Sequence, residues 1–148
     1  MATVSGGEKL KAALSEMAAK VAKPATLRVG FLSNARYPDG TPVAMVAAIQ
    51  DFGAPAAGIP PRPFFRNMIA AKSGEWAWAV ELNLKATNYD VNKTLTLVGE
   101  GIAGQLKQSI VDLVDPPLKP STIRKKHGVT KPLIDTGHML ASVDYEVL

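Results

Sequence analysis

The sequence predicts an α+β fold, a single domain in which a small antiparallel sheet packs with several helices. Most of the chain repeats apolar residues every three or four positions, as amphipathic helices do. Only two short segments, 26–32 and 143–148, alternate apolar and polar residues as half-buried strands do. The 148 residues suit one domain, and we expect the terminal strand to pair with the first.

Helical spacing is already clear at the start of the chain. Residues 8–23 place Leu10, Leu14 and Met17 on one stripe, which predicts a helix with one buried face, and Pro24 ends it. The other predicted helices cover 42–52, about 63–88 with a break near 73–74, 91–114, a short stretch capped by Ser121, and 137–142.

Two segments are expected to lack regular structure. Residues 1–7 are small and polar, which predicts a flexible tail. Residues 54–63, the proline loop, hold four prolines, which fix the backbone and donate no hydrogen bonds, so an extended, ordered loop is predicted. Phe64 and Phe65 follow directly, and we expect these rings to anchor the loop to the core.

The long helix at 63–88 is apolar on two sides. Trp76 and Trp78 lie two positions apart, about 200° around a helix, so they cannot share a face. Val80 continues the side of Trp76, and Leu82 continues the side of Trp78. Such a helix must be central or must bury one side against a partner.

The composition excludes several kinds of chemistry. The chain has no cysteine, which rules out disulfides, thiolate catalysis and any zinc site that needs sulfur. Its start shows no signal-peptide pattern and no stretch approaches 18 apolar residues, so a soluble protein that folds in a cytoplasm is expected. The net charge of +4 permits contact with nucleic acid or acidic partners without requiring it.

A glycine pattern at 99–104 matches G-x-G-x-x-G, but its surroundings do not suit a dinucleotide site. No second parallel strand ending in an acidic residue follows it. We interpret the glycines as small residues that let helices pack closely. His127 and His138 have no carboxylate or second histidine at ligand spacing, so no catalytic residue, cofactor or metal site is predicted.

Residues 119–131, the basic segment, contain no acidic residue, and three interpretations of them remain open. The cations could contact phosphates, dock on an acidic surface of a partner, or form a solvated face. No aromatic residue interleaves them, which disfavours stacking on single-stranded nucleic acid. The cations are Lys119, Arg124, Lys125, Lys126 and Lys131.

Three motifs in a fixed order resemble a known family. They are QDFG at 50–53, IPPRPFFR at 59–66 and LIDTG at 133–137. With the segments around them, over about 25–148, they resemble the putative tail-component family of tailed bacteriophages, which contains tail-completion and head–tail joining proteins. Family members more often have Glu where this chain has Asp51, a departure that we expect to change little.

The resemblance implies a non-enzymatic virion protein of the neck or tail, assembled in the cytoplasm of a bacterial host. It implies a ring, often sixfold, that joins the tail to the head connector around the DNA channel. The partners would be copies of the chain in a hexamer, connector or portal-side proteins, tail terminator or tail tube proteins, and the genomic DNA that passes through without sequence-specific binding. No membrane and no cofactor are implied.

Two alternatives stay beside this interpretation. The chain could be another minor tail or tail-terminator protein, or it could be a nucleic-acid binding module that uses the basic segment. A stiff loop and an open strand edge both suit contacts between subunits. The candidate contact residues are Arg62, Phe64, Phe65, Arg66, Trp76, Trp78, Lys119, Arg124, Lys125 and Lys126.

Overall fold

The computed structural model of the protein describes residues 6–148, in which six helices accompany a two-stranded antiparallel sheet. The predicted α+β class is confirmed. In chain order the elements are α1 (Gly7–Val21), β1 (Leu27–Phe31), α2 (Val43–Phe52), α3 (Phe64–Ala86), α4 (Val91–Asp112), α5 (Pro120–Lys125), α6 (His138–Ala141) and β2 (Val143–Val147). No helix within residues 6–148 combines the length and the apolar character that crossing a bilayer requires.

The sheet pairs β1 with β2, as the alternating segments predict. Leu27 lies opposite Val147, and backbone hydrogen bonds of 2.8 and 2.9 Å between Thr26 and Leu148 extend the ladder by one pair. Within residues 6–148 no third strand joins the sheet, so each strand keeps one open edge.

Helix α4 forms the centre of the core because it packs against α3 and against both strands. Leu106 and Ile110 on this helix are fully buried. Asp90 begins the helix as a side-chain N-cap, since its Oδ1 accepts the backbone N–H of Lys93 at 3.0 Å. Phe64 at the start of α3 is 1% exposed, so the first aromatic anchor of the proline loop lies in the core as predicted.

Three local predictions were wrong. Helix α3 runs through Ser73 and Gly74 without a break, because one glycine costs a helix interior only about 1 kcal/mol. Ser121 lies inside α5, whose first residue is Pro120, so Ser121 is not its cap. The proline loop is not extended throughout, since Pro55–Ala57 form a 3-10 turn.

Helix α1 lies near its predicted bounds but not in its predicted surroundings. It begins at Gly7, the last residue of the expected tail, and residues 1–5 of that tail lie outside the described residues. None of its residues is buried, because the principal packing contacts within residues 6–148 join other elements. The expected burial of its apolar stripe is therefore wrong. The exposed fractions are 62% for Leu10, 57% for Leu14, 37% for Met17 and 43% for Val21.

Candidate assembly surfaces

The proline loop is anchored by Asp51, which lies in α2 and caps α3 from outside that helix. The Asp51 carboxylate is almost fully buried. Its Oδ1 accepts the backbone N–H of Phe65 at 2.9 Å and that of Arg66 at 3.4 Å, and its Oδ2 accepts Nε of Arg66 at 2.6 Å. Both N–H groups belong to the first turn of α3, whose own N-cap residue supplies no side-chain bond. One carboxylate thus joins α2 to α3 across the loop.

Gly53 allows the proline loop to pack against the end of α2. Its φ of 77° lies in the left-handed region that favours glycine. A Cβ added there would lie 2.8 Å from the backbone nitrogen of Pro61 and 3.0 Å from the carbonyl oxygen of Ile59. Any side chain would therefore displace the loop, which is the physical reason for glycine at the end of the QDFG motif.

Arg62 points into the protein and holds the loop from within. Its Nη1 donates to Oε1 of Gln50 at 3.2 Å, and its Nε donates to the carbonyl oxygen of Pro116 at 3.4 Å. Burial lowers the pKa of the Arg62 guanidinium from its ordinary value. The prediction that Arg62 and Phe64 contact other subunits was wrong, because both side chains are buried in their own chain and offer no surface.

Arg66 and Phe52 lie on the solvent-facing side of the Asp51 contacts that anchor the loop. The Arg66 guanidinium lies 4.5 Å from the centroid of the Phe52 ring, a cation–π distance. Phe52 is 65% exposed, and Arg66 is also exposed. Phe65, in contrast, is half-buried and packs near Phe31, with ring centroids 6.5 Å apart.

The two tryptophans of α3 lie in different environments. Trp76 is half-buried, and its Nε1–H donates to Oε1 of Gln105 on α4 at 2.9 Å. Trp78 is 65% exposed and Leu82 is 52% exposed. The prediction of a helix apolar on two sides is confirmed, and one of those sides faces solvent.

The basic segment is separated from the proline loop by an open cleft of about 1080 Å³. Lys126 faces this cleft, its Nζ donates to the carbonyl oxygen of Lys131 at 3.0 Å, and burial lowers its pKa from the ordinary value. Lys119, Arg124 and Lys125 are exposed, and none of them takes part in an ion pair within residues 6–148. Three of the four predicted contact cations of the basic segment therefore remain available at the surface.

The glycine pattern lies within the interior of α4, not in a turn between a strand and a helix. Gly99 is buried, and an added Cβ would lie 2.7 Å from Cδ2 of Tyr145 and 2.8 Å from Cδ1 of Leu27. Gly99 does allow close packing, but against the two strands of the sheet and not against another helix as predicted. The interpretation is wrong for Gly101 and Gly104, where a Cβ would meet nothing within 4 Å.

The two histidines have separate surroundings. His127 is exposed, whereas the ring of His138 lies 4.8 Å from that of Tyr37, and its Nε2 lies 2.8 Å from the carbonyl oxygen of Arg36. In the part of the chain that the structure describes, no three His, Asp or Glu side chains are grouped so that they could hold a metal ion.

An apolar groove of about 400 Å³ opens where β1, α3 and α4 meet. Two predicted contact residues, Phe65 and Trp76, line it. Sequence reasoning missed the groove because three elements form it, although Phe65 and Trp76 lie eleven positions, about three helical turns, apart and so share a face of α3. The lining residues are Leu27, Val29, Phe65, Met68, Ile69, Trp76, Ala77, Val80, Leu95, Val98 and Ile102.

Comparisons with known proteins identify no relative of this chain. No family model, no curated protein and no solved structure matches the chain. The resemblance of the ordered motifs to the phage tail-component family therefore stays a prediction.

Proposed function

We propose that this chain is a structural protein of a tailed-bacteriophage virion, a neck or tail-completion protein whose ring joins the tail to the head connector around the DNA channel. The observation that carries the proposal is the apolar surface that the chain leaves uncovered. Helix α1 has no buried residue, and Trp78 and Leu82 on α3 are more than half exposed. Large apolar side chains left exposed in such number are typical of proteins that pack against other chains.

The proline loop supports the same function because it is held rigidly on the surface. Asp51, Gly53 and Arg62 fix its two ends and its backbone through the contacts described above. A segment that is already ordered loses little conformational entropy when a partner binds it. Such a loop suits a subunit that binds neighbouring proteins in one fixed geometry.

The exposed cations of the basic segment suit contact with an adjoining acidic layer of the neck. Lys119, Arg124 and Lys125 present their charge without an internal partner among the described residues. Charge of this kind steers encounter with an oppositely charged surface.

The same cations are the feature that favours the second candidate function, a nucleic-acid binding module. Replacing Lys119, Arg124 and Lys125 with glutamine separates the two. A neck protein would lose affinity for connector or tail proteins, whereas a DNA-binding module would lose binding of duplex DNA together with its steep salt dependence.

The location of the chain in the particle tests the proposed function. Purified virions labelled with an antibody against the chain should carry label between head and tail, and phage without this gene should yield filled heads and unattached tails. Label elsewhere on the particle, or normal joining without the gene, would contradict the proposal. Matched virions of the gene-deleted phage serve as the control for the antibody.

A further inference from the structure

The apolar stripe of helix α1 and the apolar groove have complementary shapes, and within residues 6–148 of one subunit they do not contact each other. Leu10, Leu14, Met17 and Val21, the α1 stripe, project from one side of a helix that has no buried residue. The groove is concave, and apolar and aromatic side chains line it. We infer that α1 of one subunit docks its stripe in the groove of the next subunit. This inference rests on the proposed function in one respect, namely that copies of the chain meet one another in a ring.

In the structure α1 does not occupy the groove of its own subunit, since none of its residues is buried, and the linker after it is short and stiff. Only Ala22–Ala25 lie between α1 and Thr26, whose backbone is bonded to Leu148 at the end of the sheet. Four residues span at most about 14 Å, and Pro24 among them fixes its own φ and favours an extended residue before it. A short, stiff linker holds a helix away from its own domain and promotes exchange between copies.

The spacing of the stripe matches a wall of the groove. Leu14, Met17 and Val21 follow one another at intervals of three and four residues. On α4 the groove lining repeats at the same intervals through half-buried Leu95 and through Val98 and Ile102, which are 5% and 9% exposed. Helices whose apolar rows share this period pack side by side with interlocking ridges and grooves. In the assembled protein α1 would become a third helix beside α3 and α4 of its neighbour.

The area of the contact suits an assembly in which every subunit makes two such contacts better than a single one-sided contact. Apolar side chains of this size each bury on the order of 100 Å², so four of them with the facing groove bury on the order of 800 Å². One such contact is smaller than a stable interface of about 1,600 Å². In a closed assembly, whether a ring or a reciprocal dimer, each subunit gives one stripe and receives one, which doubles its buried area.

Cross-linking between introduced cysteines tests the contact, because the chain has no cysteine of its own. Leu14→Cys places a thiol on the stripe, and Ala77→Cys places one at the exposed rim of the groove. A mixture of the two full-length variants, treated with a short bismaleimide, should give a covalent dimer that holds one copy of each. A variant carrying both cysteines should give a ladder of dimers, trimers and larger species.

The matched control is Ala12→Cys with Ala77→Cys. Position 12 lies about 200° from position 14 around the helix, so its thiol faces away from the groove. Docking brings paired thiols to a high effective concentration, so the Leu14→Cys mixture should give at least about ten times more dimer than this control.

Three results would overturn the inference. They are no covalent dimer from the mixture, equal yield from the Ala12→Cys control, and a link within one chain without a ladder, which would place α1 in its own groove. The purified chain is sufficient for this experiment, so it fails separately from the virion labelling. A ladder from a protein that is absent from the neck would keep the contact and remove the proposed function.

Discussion

Helices α1 and α4 carry the same apolar spacing and lie in opposite surroundings. Apolar residues follow one another at intervals of four, three and four positions from Leu10 to Val21 in α1 and from Val91 to Ile102 in α4. In α4, Val98 and Ile102 are buried in the core, whereas the α1 stripe stays exposed. Periodicity therefore predicts which face of a helix is apolar, but it does not predict whether the covering partner is the same chain or another one.

The difference between the two helices lies in their connections. Helix α4 follows α3 after a short turn, and a hydroxyl pair of 2.7 Å between Thr87 and Thr94 fastens the turn to its first residues. Helix α1 leads into β1 through the linker that contains Pro24. A helix on a stiff linker, with no buried residue in the part of the chain that the structure describes, is suited to bind outside its own domain.

The largest effect on the free energy of unfolding is expected from a substitution in the core that α4 covers. Phe64→Ala should lower the free energy of unfolding by about 3–5 kcal/mol, because the ring is fully buried beside α4. Phe65→Ala should cost less, since that ring is half-buried. Urea denaturation followed by circular dichroism measures both values. Equal wild-type stability in the two variants would show that the aromatic anchor is misplaced.

A smaller effect is expected where α4 meets the sheet. Gly99→Ala should lower the free energy of unfolding by about 1–3 kcal/mol, because the new methyl group would lie against Tyr145 and Leu27. Gly101→Ala on the same helix is the control. Nothing surrounds its Cβ, so it should raise stability by up to about 1 kcal/mol through helix propensity. Identical melting curves for the two variants would contradict this packing.

The Asp51 carboxylate, which joins α2 to α3, should contribute about 2 kcal/mol to the free energy of unfolding. Asp51→Ala removes the cap of α3 and the partner of Arg66, and loss of a helix cap alone costs about 0.5–2 kcal/mol. Asp51→Glu should retain part of this stability, since a carboxylate remains. Thermal denaturation of the wild type and the two Asp51 variants measures the difference in stability. Asp90→Ala, which removes only the side-chain cap of α4, is the control. An Asp51→Ala protein as stable as the wild type would show that the loop does not depend on this carboxylate.

The smallest effect on the monomer is expected on α1. Leu14→Ala should change the free energy of unfolding by less than about 0.5 kcal/mol, because the side chain is more than half exposed. Denaturation at a dilution where the chain is monomeric measures this, since assembly would otherwise add to the apparent stability. A loss as large as that of Phe64→Ala would mean that the stripe is covered by its own chain.

Local patterns were enough to predict most of the fold. Alternation identified both strands, and Pro24 and Gly53 mark the ends of helices by their own backbone chemistry. The unbroken α3 was not predicted, because the packing of a long helix outweighs the local cost of Gly74. Propensity alone cannot measure that balance.

The assembly surfaces were less predictable because they depend on contacts distant in sequence. The role of Asp51 requires the first turn of α3, fourteen residues later. The groove requires side chains from three elements. Arg62 and Phe64 were also expected to contact other subunits, because their motif suggested a contact loop. Both are buried and hold the loop from inside, as the anchoring role predicted for Phe64 requires.

The different surroundings of the two tryptophans make them natural fluorescence reporters. The Trp76 indole, bonded to Gln105, would change its emission when α3 separates from α4 on unfolding. Trp78 already faces water, so a blue shift of its emission would signal that a neighbouring molecule has covered that side of α3. Spectra of Trp76→Phe and Trp78→Phe chains would then record folding and assembly as two separate signals from the same unlabelled protein.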